Sequence, residues 1–225
     1  MTTGEIVLMV AMFVTAYLAG AIPFGLVIGK VFYGVDLFAL GSRSMGATNA
    51  FRILGWKAGL WVFVGDFFKG LLVTLFAGLI LPEAPWVQAG VAVFAVLGHS
   101  WSVFAGFRGG RGVATAFGAV WVIYPLAGLA GGIVSISIVI VLRYVSLGSL
   151  LGTLAAVLVG AVLYFSGLWL SPWGLIFMGP TAALIIWQHR PNIGRLATGT
   201  ELQLAEWPTY FARAGKTKDG DESGK

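Results

Sequence analysis

The sequence predicts an all-α integral membrane protein with seven transmembrane helices, two of them short. Three observations predict it. Of 225 residues, 58% are hydrophobic and 10% charged, with a mean hydropathy of +0.91; a soluble domain carries about 25% charged residues. Long stretches hold no charge at all: between Glu5 and Lys30, from Gly112 to Leu142, and from Tyr144 to Gln188. The basic residues collect in the intervals that remain.

A helix that crosses the hydrocarbon core needs roughly 20 apolar residues. The Glu5–Lys30 interval supplies the first span. A second runs from about Ala58 to Leu81 and is interrupted by Asp66 and Lys69; a third lies between Glu83 and Arg108 and is broken only by His99. As one helix the 112–142 stretch would be about 46 Å long, well beyond a bilayer core of about 30 Å. Tyr124-Pro125 and Gly131-Gly132 offer places to break it into two short spans. The final stretch breaks at Ser171-Pro172 into two more.

Counting seven spans puts every basic residue outside them on one side, from Lys30 and Arg43 through Arg108, Arg111 and Arg143 to Arg190 and Arg195. The other side carries Glu5 and Glu83. The positive-inside rule makes the basic side cytoplasmic, with the N-terminus outside and the C-terminus inside. The excess of 14 Lys+Arg over 9 Asp+Glu therefore reads as orientation, not as nucleic-acid binding. Residues 1–214 form a single membrane domain, and 215–225 read as a disordered tail. The chain has no cysteine, which excludes disulfides, thiolate metal sites and a cysteine nucleophile.

Three polar segments then meet at one face: 41–52, 107–115 and 189–201. In the first, Gly41, Ser42, Thr48, Asn49 and Arg52 set turn formers, hydroxyls, an amide and a guanidinium between two membrane helices. Such a segment can turn its N–H groups toward an anion, or serve as a solvated connection. In the second, Arg108 and Arg111 flank Gly109 and Gly110, with Gly112 and Thr115 opening the next helix; free amides, a positive dipole end and two guanidinium forks converge there. The third holds His189, Asn192, Arg195 and Glu201, with His189 as a candidate general base or phosphate donor.

Asp66 and Lys69 lie inside a span at i and i+3, so they can pair with each other, and Lys69 is also a candidate contact to substrate. Two histidines and scattered carboxylates make no convincing zinc or magnesium cage, so no metal and no cofactor are expected. Basic groups beside glycine-rich turns at a membrane face suit phosphate-bearing substrates. A transporter or channel for a phosphorylated or anionic solute would use similar loops.

The motifs Gly-Ser-x-x-x-Gly-Ala-Thr-Asn-x-x-Arg at 41–52, Gly-His at 98–99 with Phe-x-Gly-Gly-x-Gly-Val-Ala-Thr at 107–115, Asp-x-x-Lys-Gly at 66–70, and His-Arg-x-Asn-Ile-x-Arg-Leu at 189–196 resemble the bacterial acyl-phosphate:glycerol-3-phosphate acyltransferases, the PlsY family. The resemblance runs in order along nearly the whole chain. It departs at Arg43-Ser44, where the family usually has Gly-Asn, and at Arg108 and Arg111, where the family usually has Lys. It implies seven spans in the bacterial cytoplasmic membrane, with the site at the cytoplasmic face. It implies transfer of a fatty acyl group from acyl phosphate to the sn-1 hydroxyl of glycerol 3-phosphate, giving lysophosphatidic acid and inorganic phosphate. By that resemblance Ser42, Arg52, Arg111, His189 and Asn192 are catalytic, while Thr48, Asn49, Lys69, Arg108, Gly109, Gly110, Gly112, Thr115 and Arg195 bind phosphate. Neither histidine begins a His-x-x-x-x-Asp motif, since Phe104 and Gly194 stand five residues on; this disfavours acyltransferases built on that dyad.

Overall fold

The computed structural model describes residues 2–169 and 171–204; the expected tail at 215–225 lies outside them. The regular structure described is helical: ten α-helices, one short 3-10 turn at Val103–Ala105 and an isolated bridge between Ser102 and Arg108.

Helix α1 (Thr3–Ala21) starts on a capping box, with the Glu5 N–H donating to Thr2 Oγ1 at 3.3 Å and the Thr2 N–H donating to Glu5 Oε2 at 2.7 Å. The first apolar interval is not one helix. Pro23 has no N–H and cannot continue the ladder, so the chain bends at Ile22-Pro23 and resumes as α2 (Phe24–Tyr33). Within a bilayer the carbonyls freed by such a break need partners. Ser102 Oγ donates to the Ala21 carbonyl at 2.5 Å, and Lys69 Nζ to the Ile22 carbonyl at 3.0 Å. The break is thereby tied to two distant segments.

A short helix α3 (Ala47–Leu54) precedes the long α4 (Trp56–Ile80), which carries Asp66 and Lys69. Helix α5 (Pro85–Ser100) leads through the glycine turn into α6 (Val113–Ile123). The expected break falls at Tyr124-Pro125, where proline takes the first position of α7 (Pro125–Leu142); Gly131 and Gly132 stay inside that helix. Helix α8 (Val145–Phe165) and α9 (Trp173–Gln188) flank the Ser171-Pro172 break, and α10 (Arg190–Ala197) follows after His189. Four helical stretches are long and apolar enough to cross a membrane: Thr3–Tyr33, α4, α7 and α8. Helices α5, α6 and α9 are shorter.

Between helices in lipid there is little hydrophobic driving force, so close packing of small residues does the work. Helix α6 lies against α4 so closely that a Cβ at Gly118 would collide with the Phe67 carbonyl. The lower core gathers around Tyr124 and Phe177, both fully buried, with Val120, Ala127 and Leu163. Tyr124 satisfies its hydroxyl by donating to the Ser171 carbonyl at 2.5 Å.

Gly118→Leu should therefore destabilise by about 1–3 kcal/mol or more through overpacking, read as a lowered unfolding temperature in detergent. Gly179→Ala, where an added Cβ meets nothing within 4 Å, should leave that temperature unchanged or raise it.

Candidate active site

A cavity of about 280 Å³ opens among α3 to α9. Its polar end holds Ser42, Thr48, Asp66, His99, Arg111 and His189. Deeper walls are apolar and come from α6, α7, α8 and α9, including Phe117, Gly132, Val157 and Phe177. One end thus suits charge and the other hydrocarbon.

The loop of segment 41–52 is organised by Asn49. Its Nδ2 donates to the carbonyls of Leu37, Leu40 and Ser44 at 3.0, 3.2 and 2.9 Å, and its Oδ1 accepts the Ser42 N–H at 2.9 Å. Both ends of the amide are committed to backbone, so Asn49 shapes the loop and presents Ser42 and Thr48 to the cavity.

The glycine turn of segment 107–115 is held from behind. The Gly110 N–H donates to the His99 carbonyl at 3.1 Å, and a Cβ at Gly110 would collide with His99 Nε2. Gly112, at φ +80°, ends the turn as N-cap of α6. Arg111 is the guanidinium this turn delivers to the cavity. Burial is the main cause that lowers its pKa to about 10, against the pull of Glu201 and with the neighbouring Arg195 and Arg52 acting in the same direction as burial. It stays charged at neutral pH, in a field that a bound anion would relieve.

The flanking basic residues point elsewhere. Arg108 is exposed and stacks over the Phe38 ring, 4.0 Å from its centroid. Thr115 is fully buried and does not line the cavity. Lys69 also faces away from it: Nζ lies 2.7 Å from Asp66 Oδ1 and bonds the Ile22 carbonyl. The i, i+3 pairing is what the geometry gives, and Asp66 with His99, 3.3 Å apart, takes the place at the cavity wall.

In segment 189–201, His189 caps α9 and is 1% exposed. Its Nδ1 is 2.8 Å from the Ile185 carbonyl. A carbonyl only accepts, so Nδ1 carries the proton and Nε2 is left as an acceptor. Burial is the main cause that lowers its pKa to about 4, with Arg111 acting in the same direction; the Ile185 bond and Glu201 oppose. His189 is neutral at pH 7.

Glu201 collects the rest. It accepts from Ser146 Oγ at 2.8 Å, from Asn192 Nδ2 at 2.7 Å and from Arg195 Nε at 2.6 Å. Burial pushes this carboxyl up, yet the three donors outweigh it and the net shift is downward. Arg195 is spent on this pair, and Asn192 keeps a buried Oδ1 without a hydrogen-bond partner. Ser146 was not legible in the sequence: it sits in the first turn of an uncharged helix, with no spacing to mark it. Asp66 and His99 are marked in the sequence by an intramembrane charge and by motif, but their meeting at the cavity wall is decided by packing. Among the described residues no group of three His, Asp or Glu could hold a metal ion.

Comparison with known proteins places this geometry. A sequence profile described as "Glycerol-3-phosphate acyltransferase" matches residues 10–199. The chain is 42% identical over 192 residues to the glycerol-3-phosphate acyltransferase of Listeria monocytogenes, covering 84% of this chain and 93% of that one. It is 43% identical over 194 residues to that of Thermus thermophilus, covering 85% and 92%. Among solved structures it superposes with a TM-score of 0.82 and 40% identity on PlsY, an integral membrane glycerol 3-phosphate acyltransferase, in its glycerol 3-phosphate form. That match covers 90% of this chain and 98% of the other. The lysophosphatidic acid form gives 0.78 and 41%, covering 87% and 94%.

The class is therefore an integral membrane acyltransferase of glycerolipid synthesis. Within it, the chain belongs to the glycerol-3-phosphate acyltransferase family, the PlsY family.

Nitrogen NMR of histidine-labelled protein should find one imidazole neutral and Nδ1-protonated at pH 6, its signals lost in His189→Gln. An ordinary histidine would be mostly cationic there; finding His189 cationic would remove the acceptor role.

Proposed function

We propose that the chain transfers a fatty acyl group from acyl phosphate to the sn-1 hydroxyl of glycerol 3-phosphate, the opening step of bacterial phospholipid synthesis. The observation that carries this reading is the pairing of charged Arg111 with neutral His189 at the polar end of a cavity whose deeper walls are apolar. A relative's glycerol 3-phosphate and lysophosphatidic acid forms support both acceptor and product.

In this reading Arg111 and the amides of Gly109 and Gly112 hold phosphate, with Ser42 and Thr48 across the cavity, while the Gly110 N–H stays on the His99 carbonyl and fixes the turn. Arg52 adds positive potential beside Arg111. Arg108, Arg195, Lys69 and Thr115 support the site from outside, and Asn49 braces from the cavity wall the loop that carries Ser42 and Thr48. Asn192, anchored by Glu201, has an Oδ1 free to accept.

The acceptor's hydroxyl oxygen attacks the acyl carbon. The new ester C–O bond forms, the bond from the acyl carbon to the phosphate oxygen breaks, and the phosphate departs with its electron pair as inorganic phosphate. The hydroxyl proton goes to His189 Nε2 or to an oxygen of the departing phosphate. In this reading Ser42 and the Gly112 amide donate to the oxyanion. The leaving group is good, so positioning supplies most of the acceleration.

The topology proposed with it has seven crossings: α1 with α2, then α4, α5, α6, α7, α8 and α9. The N-terminus is outside and the site is at the cytoplasmic face of the inner membrane; the placement of Lys and Arg supports this orientation.

The test is incubation of purified protein with palmitoyl phosphate and glycerol 3-phosphate. Lysophosphatidic acid and phosphate should appear in equal amounts, unaffected by chelator; no product, or loss restored by magnesium, would overturn this account. Arg111→Ala should cut kcat/KM by about 10²–10³, with Arg111→Lys recovering much of it. His189→Ala should lower kcat at least about tenfold if the ring takes the proton; a smaller loss assigns the proton to substrate phosphate.

A further inference from the structure

The cavity has a measurable depth, from its polar end to a closed floor. Along α8 the lining runs from Val145 through Ser149 and Thr153 to Val157; along α9 it runs from Ile185 up to His189 and down to Phe177. Each path covers twelve helical steps, about 18 Å at 1.5 Å per residue. One leaflet of a bilayer core of about 30 Å is about 15 Å deep. Two helices independently give a hole as deep as a leaflet, the length of an ordinary membrane acyl chain.

Below that level the space is filled. Met178 reaches from α9 onto Gly160 of α8, where the position of a Cβ is already taken by the methionine Cε. Phe177 lies beside it, fully buried. One layer further down, Tyr124 fits against Gly174 and is pinned by its bond to the Ser171 carbonyl. Ala127 and Leu163 complete that layer, within the same buried cluster. The cavity therefore ends at this layer. Its floor is a single unbranched side chain lying in a notch that only a glycine leaves open.

We propose that Met178, seated on Gly160, determines specificity by setting the longest acyl chain the enzyme accepts at about one leaflet's length. This rests on the reading of the cavity as the acyl site. Truncating Met178 deepens the hole. Enlarging Val157, one turn above Gly160 on the same helix, makes it shallower.

The experiment is a competition: purified protein, glycerol 3-phosphate, and equimolar decanoyl, palmitoyl and arachidoyl phosphate, with the lysophosphatidic acids resolved by mass spectrometry. The unmodified protein should favour palmitoyl over arachidoyl product. Met178→Ala should raise the arachidoyl-to-palmitoyl ratio about tenfold, the discrimination that two newly buried methylenes carry. Val157→Phe should move preference the other way, raising decanoyl over palmitoyl by a similar factor. Each ratio is internal to one preparation, so partial loss of folded protein does not alter it, and Val157→Phe decides alone if Met178→Ala does not fold. Unchanged ratios in a variant that still makes lysophosphatidic acid overturn the floor and leave the reaction standing. No lysophosphatidic acid from any acyl phosphate with the unmodified protein overturns the reaction itself.

Discussion

Asp66 is the charge on which the arrangement of this protein depends. A carboxylate with 2% of its side chain exposed, inside a membrane helix, requires a partner. It has Lys69 at 2.7 Å and faces His99 at 3.3 Å. Lys69 in turn donates to the Ile22 carbonyl at the Pro23 bend, and the His99 ring backs directly onto Gly110. One buried cluster thereby fixes the bend of the first span, the register of α4 against α5 and the seat of the glycine turn. Removing one member of such a buried pair typically costs about 3–5 kcal/mol, because the other is left charged and alone.

Glu201 does on the other side of the site what Asp66 does on this one. It draws together Ser146 at the start of α8, Asn192 and Arg195 on α10, and it acts on both Arg111 and His189 through space. The two carboxylates have a common logic: each sits beside the cavity's polar end, and each absorbs a nearby cation. What remains for a bound anion is Arg111, held by a turn with free amides and facing a neutral imidazole. Lys69 and Arg195 look like phosphate ligands in the sequence, yet each already has its counter-charge.

The protein also divides its environment along one axis. Charges and hydroxyls gather where α6, α8 and α10 begin, while the walls beneath them are aliphatic and aromatic. A hydroxyl nucleophile bearing a phosphate and an amphiphilic donor can meet only at such a boundary. Neutrality of His189 follows from the same geometry: burial and the adjacent Arg111 both disfavour a second positive charge.

Composition and local chain chemistry determined a good deal. The helical membrane class follows from 10% charge, and the break at Tyr124-Pro125 follows from proline lacking an N–H, whereas α8 already ends at Phe165, ahead of a left-handed Gly167 and of Pro172. The bend at Pro23 carries the same signal, but the apolar run around it is long enough to be read as one helix. The three polar segments and their motifs were legible because glycine, hydroxyl and guanidinium spacing is a local property. Only the tertiary structure decided which side chains in those segments face the cavity. Thr115 and Lys69 turn away, Asn49 spends its amide on its own loop, and Ser146 reaches Glu201 from a helix whose sequence gives no such sign; Asp66 and His99 stand out in the sequence, but only packing sets them together at the cavity wall. The reason is physical: a polar side chain in lipid goes to whichever partner the neighbouring helix presents, and that partner is chosen by packing, not by spacing along the chain.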